Sequence, residues 1–192
     1  MIKHMANKKT PQKIDITLTL TRVTRTLFFF AGFYALSIVI FDSGNLITRE
    51  AVIDRWTILS GLLVVNSLCW LISAQITHRL SSQIILRSVL AVSLLAFAGF
   101  TTYWERGMAS TSTLFYLLPL LIIATLKNRH ALLTTTILAV TTYAFATVKY
   151  FNDFFNEGFR IQLWGNIVLY GGTIFVCAWL IMVITDLRHD SR

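Results

Sequence analysis

The chain has 192 residues, of which 55% are hydrophobic and only 14% are charged. Globular domains average about 25% charged residues, so this chain lacks the polar side chains that cover a water-exposed surface. Aromatic residues, at 13%, are too frequent for a disordered chain. The composition therefore excludes a soluble enzyme, a secreted disulfide scaffold and a soluble nucleic-acid binder, and it indicates an integral membrane protein.

Six apolar segments follow one another along the chain. A helix needs about 20 mostly apolar residues to cross the hydrocarbon core of a bilayer, and the segments that approach this length are 23–41, 56–74, 84–104, 109–126, 131–151 and 161–184. The sequence thus predicts an all-α integral membrane protein, a bundle of six transmembrane helices. This domain spans 23–187, after a basic N-terminal segment at 1–22 and before a short tail at 188–192.

The charged residues between the predicted helices are unevenly distributed. With six crossings, the two termini and the second and fourth loops share one side, which carries 12 of the 17 Lys and Arg residues. The formal charge is +9 on that side and −1 on the other. Because basic loops are retained in the cytoplasm, we predict that both termini are cytoplasmic. The predicted location is the bacterial inner (cytoplasmic) membrane, with a multi-pass topology.

Asp, Glu, Lys, Arg and His are absent from the central parts of the third to sixth predicted helices. A charge at mid-bilayer costs about 2.5–3.5 kcal/mol on insertion scales, so charged residues occur there chiefly where function requires them, as in pumps and ion-coupled transporters. The sequence therefore argues against ion-coupled transport, retinal binding and intramembrane proteolysis. It predicts that the protein is not an enzyme, with no catalytic residue, no metal site and no cofactor.

Uncharged polar side chains occur within the second and fifth predicted helices, and the amide of Asn66 is the most polar of them near mid-span. Asn66 and Ser73 are seven residues apart and therefore share a helical face. In membrane helices such groups usually bond to their own helix or to a neighbour. The alternative is a small-ligand pocket between the two helices, with Asn66 as its best candidate residue.

Aromatic residues are concentrated at the side predicted to face outward, where Tyr103 and Trp104 end the third helix and Trp164 lies early in the sixth. A belt of aromatic side chains at the membrane interface explains this distribution. The alternative is an aromatic pocket with Glu105 at its mouth, which would take an apolar or cationic small molecule. Tyr116 in the fourth helix completes the set of candidate ligand-binding residues.

Pro119 is the only proline within a predicted helix. A proline removes one backbone hydrogen bond, so we predict a kink in the fourth helix near Phe115. The kink would serve either as a packing device or as a hinge for signalling.

Two neighbouring segments, Tyr103–Ala124 and Lys127–Ala139, resemble the membrane input region of multi-pass bacterial sensor histidine kinases. In that family a glycine- and serine-containing turn leads into a Leu-Tyr-Leu-Leu-Pro helix, followed by a short basic loop and a Leu/Ala-rich helix. The matching residues here are Gly107, Ser110, Ser112, Phe115, Tyr116, Leu117, Leu118 and Pro119, with Lys127 and Arg129 as the basic loop. The local resemblance covers about 40 residues, and the six-helix layout extends it more loosely.

The resemblance implies a two-component signal-transduction function. The bundle would detect a membrane-soluble or outer-face small molecule and relay the signal through the last helix to a cytoplasmic output domain. The family's dimerising helix and ATP-binding domain do not appear in the sequence, and His189 is not assigned as a phospho-acceptor. We therefore expect an isolated input domain, or a relative that acts through a partner.

Two other functions stay open. The chain is also similar in size, charge and helix number to the substrate-binding subunits of energy-coupling vitamin transporters, in which case Glu105, Asn66 and the outer aromatic residues would form the ligand site. A structural or assembly protein of the membrane is the third hypothesis. The predicted partners are the lipid bilayer, a cytoplasmic kinase or other output protein, and, as an open alternative, a second copy of the chain; nucleic acid is excluded.

Overall fold

The computed structural model describes the backbone of residues 12–75, 80–105, 107, 110–154 and 160–190, and the side chains of 20–73, 75, 81–105, 107, 110–154 and 161–185. The described residues form helices joined by short turns. In chain order the helices are α1 (Gln12–Ser43), α2 (Arg49–Gln75), α3 (Leu80–Trp104), a 3-10 helix (Thr111–Tyr116), α4 (Leu117–Ala124), α5 (Arg129–Phe154) and α6 (Arg160–Asp190). Residues 1–11 of the basic N-terminal segment, the loop at 155–159 and the side chain of His189 lie outside the described residues.

Five of these helices are long and apolar enough to cross a membrane, namely Leu20–Ser43, Arg49–Ser73, Ser81–Trp104, Arg129–Phe154 and Ile161–Thr185. Their surfaces carry large apolar side chains that point away from the bundle. Phe33 is 73% exposed and Ile161 is 91% exposed. A water-soluble monomer rarely exposes such an area of apolar surface, whereas lipid accepts it. The apolar, all-helical character predicted from the sequence is confirmed.

The helices pack in an order that places α3 at the centre. α1 packs on α2, α2 on α3, α3 on α5, and α5 on α6. The approach of α3 to α5 is close at Gly99, where an added Cβ would lie 2.8 Å from Cγ2 of Thr142. Because lipid is as apolar as the side chains, van der Waals packing of this kind, rather than the hydrophobic effect, holds membrane helices together.

Residues 111–124, the 3-10 helix and α4 together, connect the two halves of the bundle. Phe115 and Ile122 pack with α1, α2 and α3. Tyr116, Leu120 and Ile123 pack with α3, α5 and α6. We call these fourteen residues the bridging segment. Like α3, it contributes residues to both hydrophobic clusters.

The bridging segment differs from the helix predicted at 109–126. Its first six residues are a 3-10 helix, and only eight residues are α-helical. Pro119 explains the change, because its ring nitrogen cannot donate the α-helical hydrogen bond to the carbonyl of Phe115. The predicted kink near Phe115 is therefore a change of helix type at Tyr116 and Leu117 rather than a bend within one α-helix.

The two ends of the bridging segment lie at opposite ends of α3. Ser112, at its start, bonds to Glu105, which directly follows α3. Thr125, at its end, accepts a hydrogen bond from Arg87, in the second turn of α3. Arg87 and Glu105 are separated by about 27 Å along a helix that rises 1.5 Å per residue. These two positions define the Glu105 end and the Arg87 end of the bundle.

Polar side chains cap the helices at the turns. At the Glu105 end, Asn45 adopts the left-handed conformation with φ 53° after α1, and Thr48 Oγ1 accepts the amide of Ala51 at the start of α2. At the Arg87 end, Oδ1 of Asn128 accepts the amides of His130 and Ala131 at the start of α5. These caps satisfy backbone groups that a helix terminus leaves unpaired.

α1 begins eleven residues before the predicted first span. The strictly alternating sequence Ile16–Thr21 would suit a strand, but the backbone is helical throughout this stretch. A single strand has no partner with which to satisfy its hydrogen bonds at a membrane. Helix formation satisfies them within the segment itself.

Candidate functional site

A buried ion pair lies at the Glu105 end of the bundle. Nη2 of Arg55, on α2, is 3.5 Å from Oε1 of Glu105, and their side chains are only 10% and 15% exposed. The other carboxylate oxygen, Oε2, accepts hydrogen bonds from the hydroxyls of Ser110, at 3.3 Å, and Ser112. We call Arg55, Glu105, Ser110 and Ser112 the Glu105 cluster. It joins α2, the end of α3 and the start of the bridging segment.

The chain conformation after α3 brings these residues together. The amide of Glu105 still bonds to the carbonyl of Thr101, which holds Glu105 in register with α3. Gly107 has φ +56°, and an added Cβ would lie 2.7 Å from Cδ1 of Tyr150, so both the conformation and the space require glycine. Ser110 then caps the 3-10 helix by accepting the amide of Ser112 at 3.0 Å.

Four aromatic rings pack beside the Glu105 cluster. Tyr34 lies 5.0 Å from Phe97 and 5.8 Å from Phe115 between ring centroids, both in edge-to-face geometry. Phe30 completes the group, 5.3 Å from Phe115. Tyr34 interacts electrostatically with both Glu105 and Arg55. Tyr34 therefore belongs to the aromatic group and lies within electrostatic range of the Glu105 cluster.

Arg55 also contacts an aromatic ring. Its guanidinium carbon lies 5.7 Å from the ring centroid of Phe41, near the end of α1. A cation over an aromatic face is attracted by the ring quadrupole. The guanidinium therefore interacts with both Glu105 and Phe41.

Tyr103 and Trp104, predicted to line an outer pocket, belong to two different contacts. The hydroxyl of Tyr103 donates to Asp153 on α5 at 2.7 Å, and the same carboxylate accepts from Lys149 at 2.7 and 2.8 Å. Trp104 stacks on Phe100 of its own helix, with 5.5 Å between centroids. Neither residue has a described contact with the carboxylate of Glu105, its neighbour in sequence.

Asn66 lies between α1 and α2 rather than in the Glu105 cluster. It is 1% exposed, and its Nδ2 donates to the carbonyl of Thr24 at 3.0 Å. It is 11 residues from Arg55 on the same helix, which corresponds to about 16 Å. The amide therefore bonds to a neighbouring helix, the role that such residues usually have in membranes.

The two other candidate ligand residues have different surroundings again. Tyr116 is fully buried and packs edge-to-face on Tyr143 of α5, with 5.8 Å between ring centroids. Trp164, on α6, is 61% exposed and faces away from the bundle. Of the six predicted ligand residues, Glu105 is the one that the structure places within the buried ion pair.

Sequence reasoning did not identify Arg55, Tyr34 or Arg87 as site residues. In the predicted topology Arg55 directly precedes the second span and Arg87 lies at the cytoplasmic start of the third, but both are buried, and Arg87 is only 1% exposed. Nη1 of Arg87 donates to the carbonyl of Thr125 at 3.2 Å, at the carboxyl end of α4. A cation at a helix carboxyl terminus is favoured by the helix dipole. No single-sequence pattern marks these pairings, because their members are 38 to 50 residues apart.

The described residues contain no group of three or more His, Cys, Asp or Glu side chains that could hold a metal ion. Comparisons with protein-family models, curated protein sequences and solved structures find no match to the chain.

Proposed function

We propose that the chain is a six-crossing sensory module of a bacterial inner membrane, which receives a small-molecule stimulus at the Glu105 end and passes it to a cytoplasmic partner through α6. The observation that carries this proposal is the buried Arg55–Glu105 pair, tied through Ser112 to the bridging segment. A ligand that changes this pair acts on an element that packs, like α3, on both halves of the bundle.

The bridging segment and the distribution of charge support the proposed orientation. The segment reaches from the Glu105 end to the Arg87 end of α3, so it serves as the fourth crossing despite its fourteen residues. Six crossings put both termini on the side with the basic loops, which is the cytoplasmic side. The Glu105 end then faces outward and the Arg87 end faces the cytoplasm.

The 3-10 helix gives the bundle a means of converting a change at Glu105 into motion. A 3-10 helix rises about 2.0 Å per residue and an α-helix about 1.5 Å, so conversion of six residues would shorten the segment by about 3 Å. α4 packs on α6, and Leu120 and Ile123 share one hydrophobic cluster with Ile174 and Ala178. A displacement of α4 would therefore move the cytoplasmic half of α6.

The transporter alternative receives less support from the geometry. A vitamin site built from Glu105, Asn66 and the outer aromatic residues needs these side chains in one place. The amide of Asn66 donates a hydrogen bond to the carbonyl of Thr24, and the hydroxyl of Tyr103 donates one to Asp153. The arrangement instead favours a site that acts on the bridging segment.

The relay is tested by a distance between spin labels at the Arg87 end. Cysteines at His130, on α5, and Ile184, on α6, are labelled in full-length protein in which Cys69 and Cys177 are replaced by alanine. Both label sites are exposed. We expect Glu105→Gln to shift the distance distribution by up to about 3 Å, because it removes the charge that holds the 3-10 helix to Arg55.

Asp153→Asn is the matched control for this experiment. It removes a carboxylate at the same end of the bundle, from the pair with Lys149, without touching the bridging segment. We expect its distribution to equal that of the parent protein. Equal distributions for Glu105→Gln and the parent would contradict the relay.

A further inference from the structure

Two buried donors beside the Glu105 cluster have no hydrogen-bond acceptor among the described residues. They are Nε of Arg55 and the hydroxyl of Tyr34. Arg55 and Tyr34 are only 9% and 6% exposed, so bulk water does not supply the missing acceptors. A buried donor without an acceptor costs about 1–3 kcal/mol. A ligand that supplies an acceptor would therefore remove this cost at both donors.

The acceptors within the cluster are already engaged. Oε2 of Glu105 accepts both serine hydroxyls, and Oε1 faces Nη2 of Arg55. That last distance, 3.5 Å, is longer than a charge-assisted hydrogen bond of about 2.7–2.9 Å. The cluster thus contains hydrogen-bond donors without acceptors, and the ion pair between its guanidinium and its carboxylate is weak.

The geometry points to a binding site for the carboxylate of a small organic molecule with an apolar body. We assign Arg55 and Tyr34 as its donors, and this ligand class rests on the proposed function of the same site. The Nε side of a guanidinium presents two parallel N–H groups that match a carboxylate, and the tyrosine hydroxyl adds a third donor.

The side chains in contact with the two donor residues are aromatic, which suits a ligand with an apolar body. Phe41 lies against the guanidinium, and the ring of Tyr34 belongs to the group with Phe97 and Phe115. Binding would draw Arg55 from Glu105 toward the ligand. The carboxylate of Glu105, no longer paired with Arg55, would then change its hydrogen bonds to Ser110 and Ser112 at the start of the 3-10 helix.

Side-chain NMR of Arg55 tests the assignment in full-length protein in lipid nanodiscs. The probes are benzoate, benzamide and benzylamine, which share an aromatic ring and differ in charge and in hydrogen-bonding capacity. The Nε–H resonance of Arg55 is identified by its loss in Arg55→Lys. We expect a saturable shift of this resonance with benzoate, and none with benzylamine.

Tyr34→Phe keeps the aromatic ring and removes only the hydroxyl, so it is the matched variant. We expect benzoate to bind about tenfold more weakly, the effect of one hydrogen bond to a charged group. Unchanged binding in Tyr34→Phe would overturn the role of Tyr34. Absence of a saturable shift with benzoate, or an equal shift with benzamide or benzylamine, would overturn the carboxylate assignment.

The same titration separates this inference from the proposed function. Benzoate binding without any change in the distance between labels at 130 and 184 would keep the site and contradict the relay. A distance change in Glu105→Gln without benzoate binding would keep the relay and overturn the ligand class.

Discussion

Glu105→Ala is expected to lower the free energy of unfolding by about 3–5 kcal/mol, because it leaves the buried guanidinium of Arg55 without its counter-charge. The two serine hydroxyls lose their acceptor in the same variant. The measurement is unfolding of the detergent-solubilised protein by titration with sodium dodecyl sulfate, followed by circular dichroism. The loss should be among the largest for any single residue at this end of the bundle.

Two variants separate the ion pair from other effects of Glu105→Ala. Asp153→Ala removes a carboxylate from an exposed pair at the same end, where Lys149 is 55% exposed, and its loss should be much smaller. Arg55→Met combined with Glu105→Leu removes both charges and should recover most of the stability. Equal losses for Glu105→Ala and Asp153→Ala would show that the pair is not buried as described.

Arg87→Ala is expected to lower the free energy of unfolding by about 3–5 kcal/mol. It empties the volume of a large buried side chain, and it removes the donor to the carbonyl of Thr125. The end of α4 should loosen at the same time. Hydrogen exchange at the amides of Leu126 and Lys127, which bond back to Ile123 and Ala124, should become faster.

The control variants for this prediction differ in what they retain. Arg87→Met keeps much of the buried apolar stem and removes the donor, so it should lose less stability and still show faster exchange at Lys127. Arg25→Ala removes an exposed arginine from α1 and should have little effect on either measurement. A loss for Arg87→Ala no greater than that for Arg25→Ala would contradict the anchoring role.

The apolar runs of the sequence predict the five long helices to within a few residues at most ends. The predicted fifth span at 131–151, for instance, lies inside α5, Arg129–Phe154. Hydropathy works here because transfer into lipid depends on composition over about 20 residues. It does not describe the backbone, however, and so it did not predict that 111–116 would form a 3-10 helix.

The candidate site is predictable only in part, for a physical reason. Glu105 stands out as an acidic residue at the end of an apolar helix, but the burial of Arg55 depends on a partner 50 residues away. The guanidinium of Arg87 is buried because the end of α4 presents a carbonyl to it. Such partners are fixed by tertiary packing, which a local pattern of polar and apolar residues does not record.

Labelling of single cysteines from the two sides of the membrane tests the central claim, that the bridging segment is a crossing. Leu46, in the turn after α1, and His130, in the first turn of α5, are both exposed. In intact cells, a membrane-impermeant maleimide should label Leu46→Cys. It should label His130→Cys only after permeabilisation. Labelling of both positions in intact cells would show that residues 111–124 return to the side they entered from, and it would contradict the six-crossing topology.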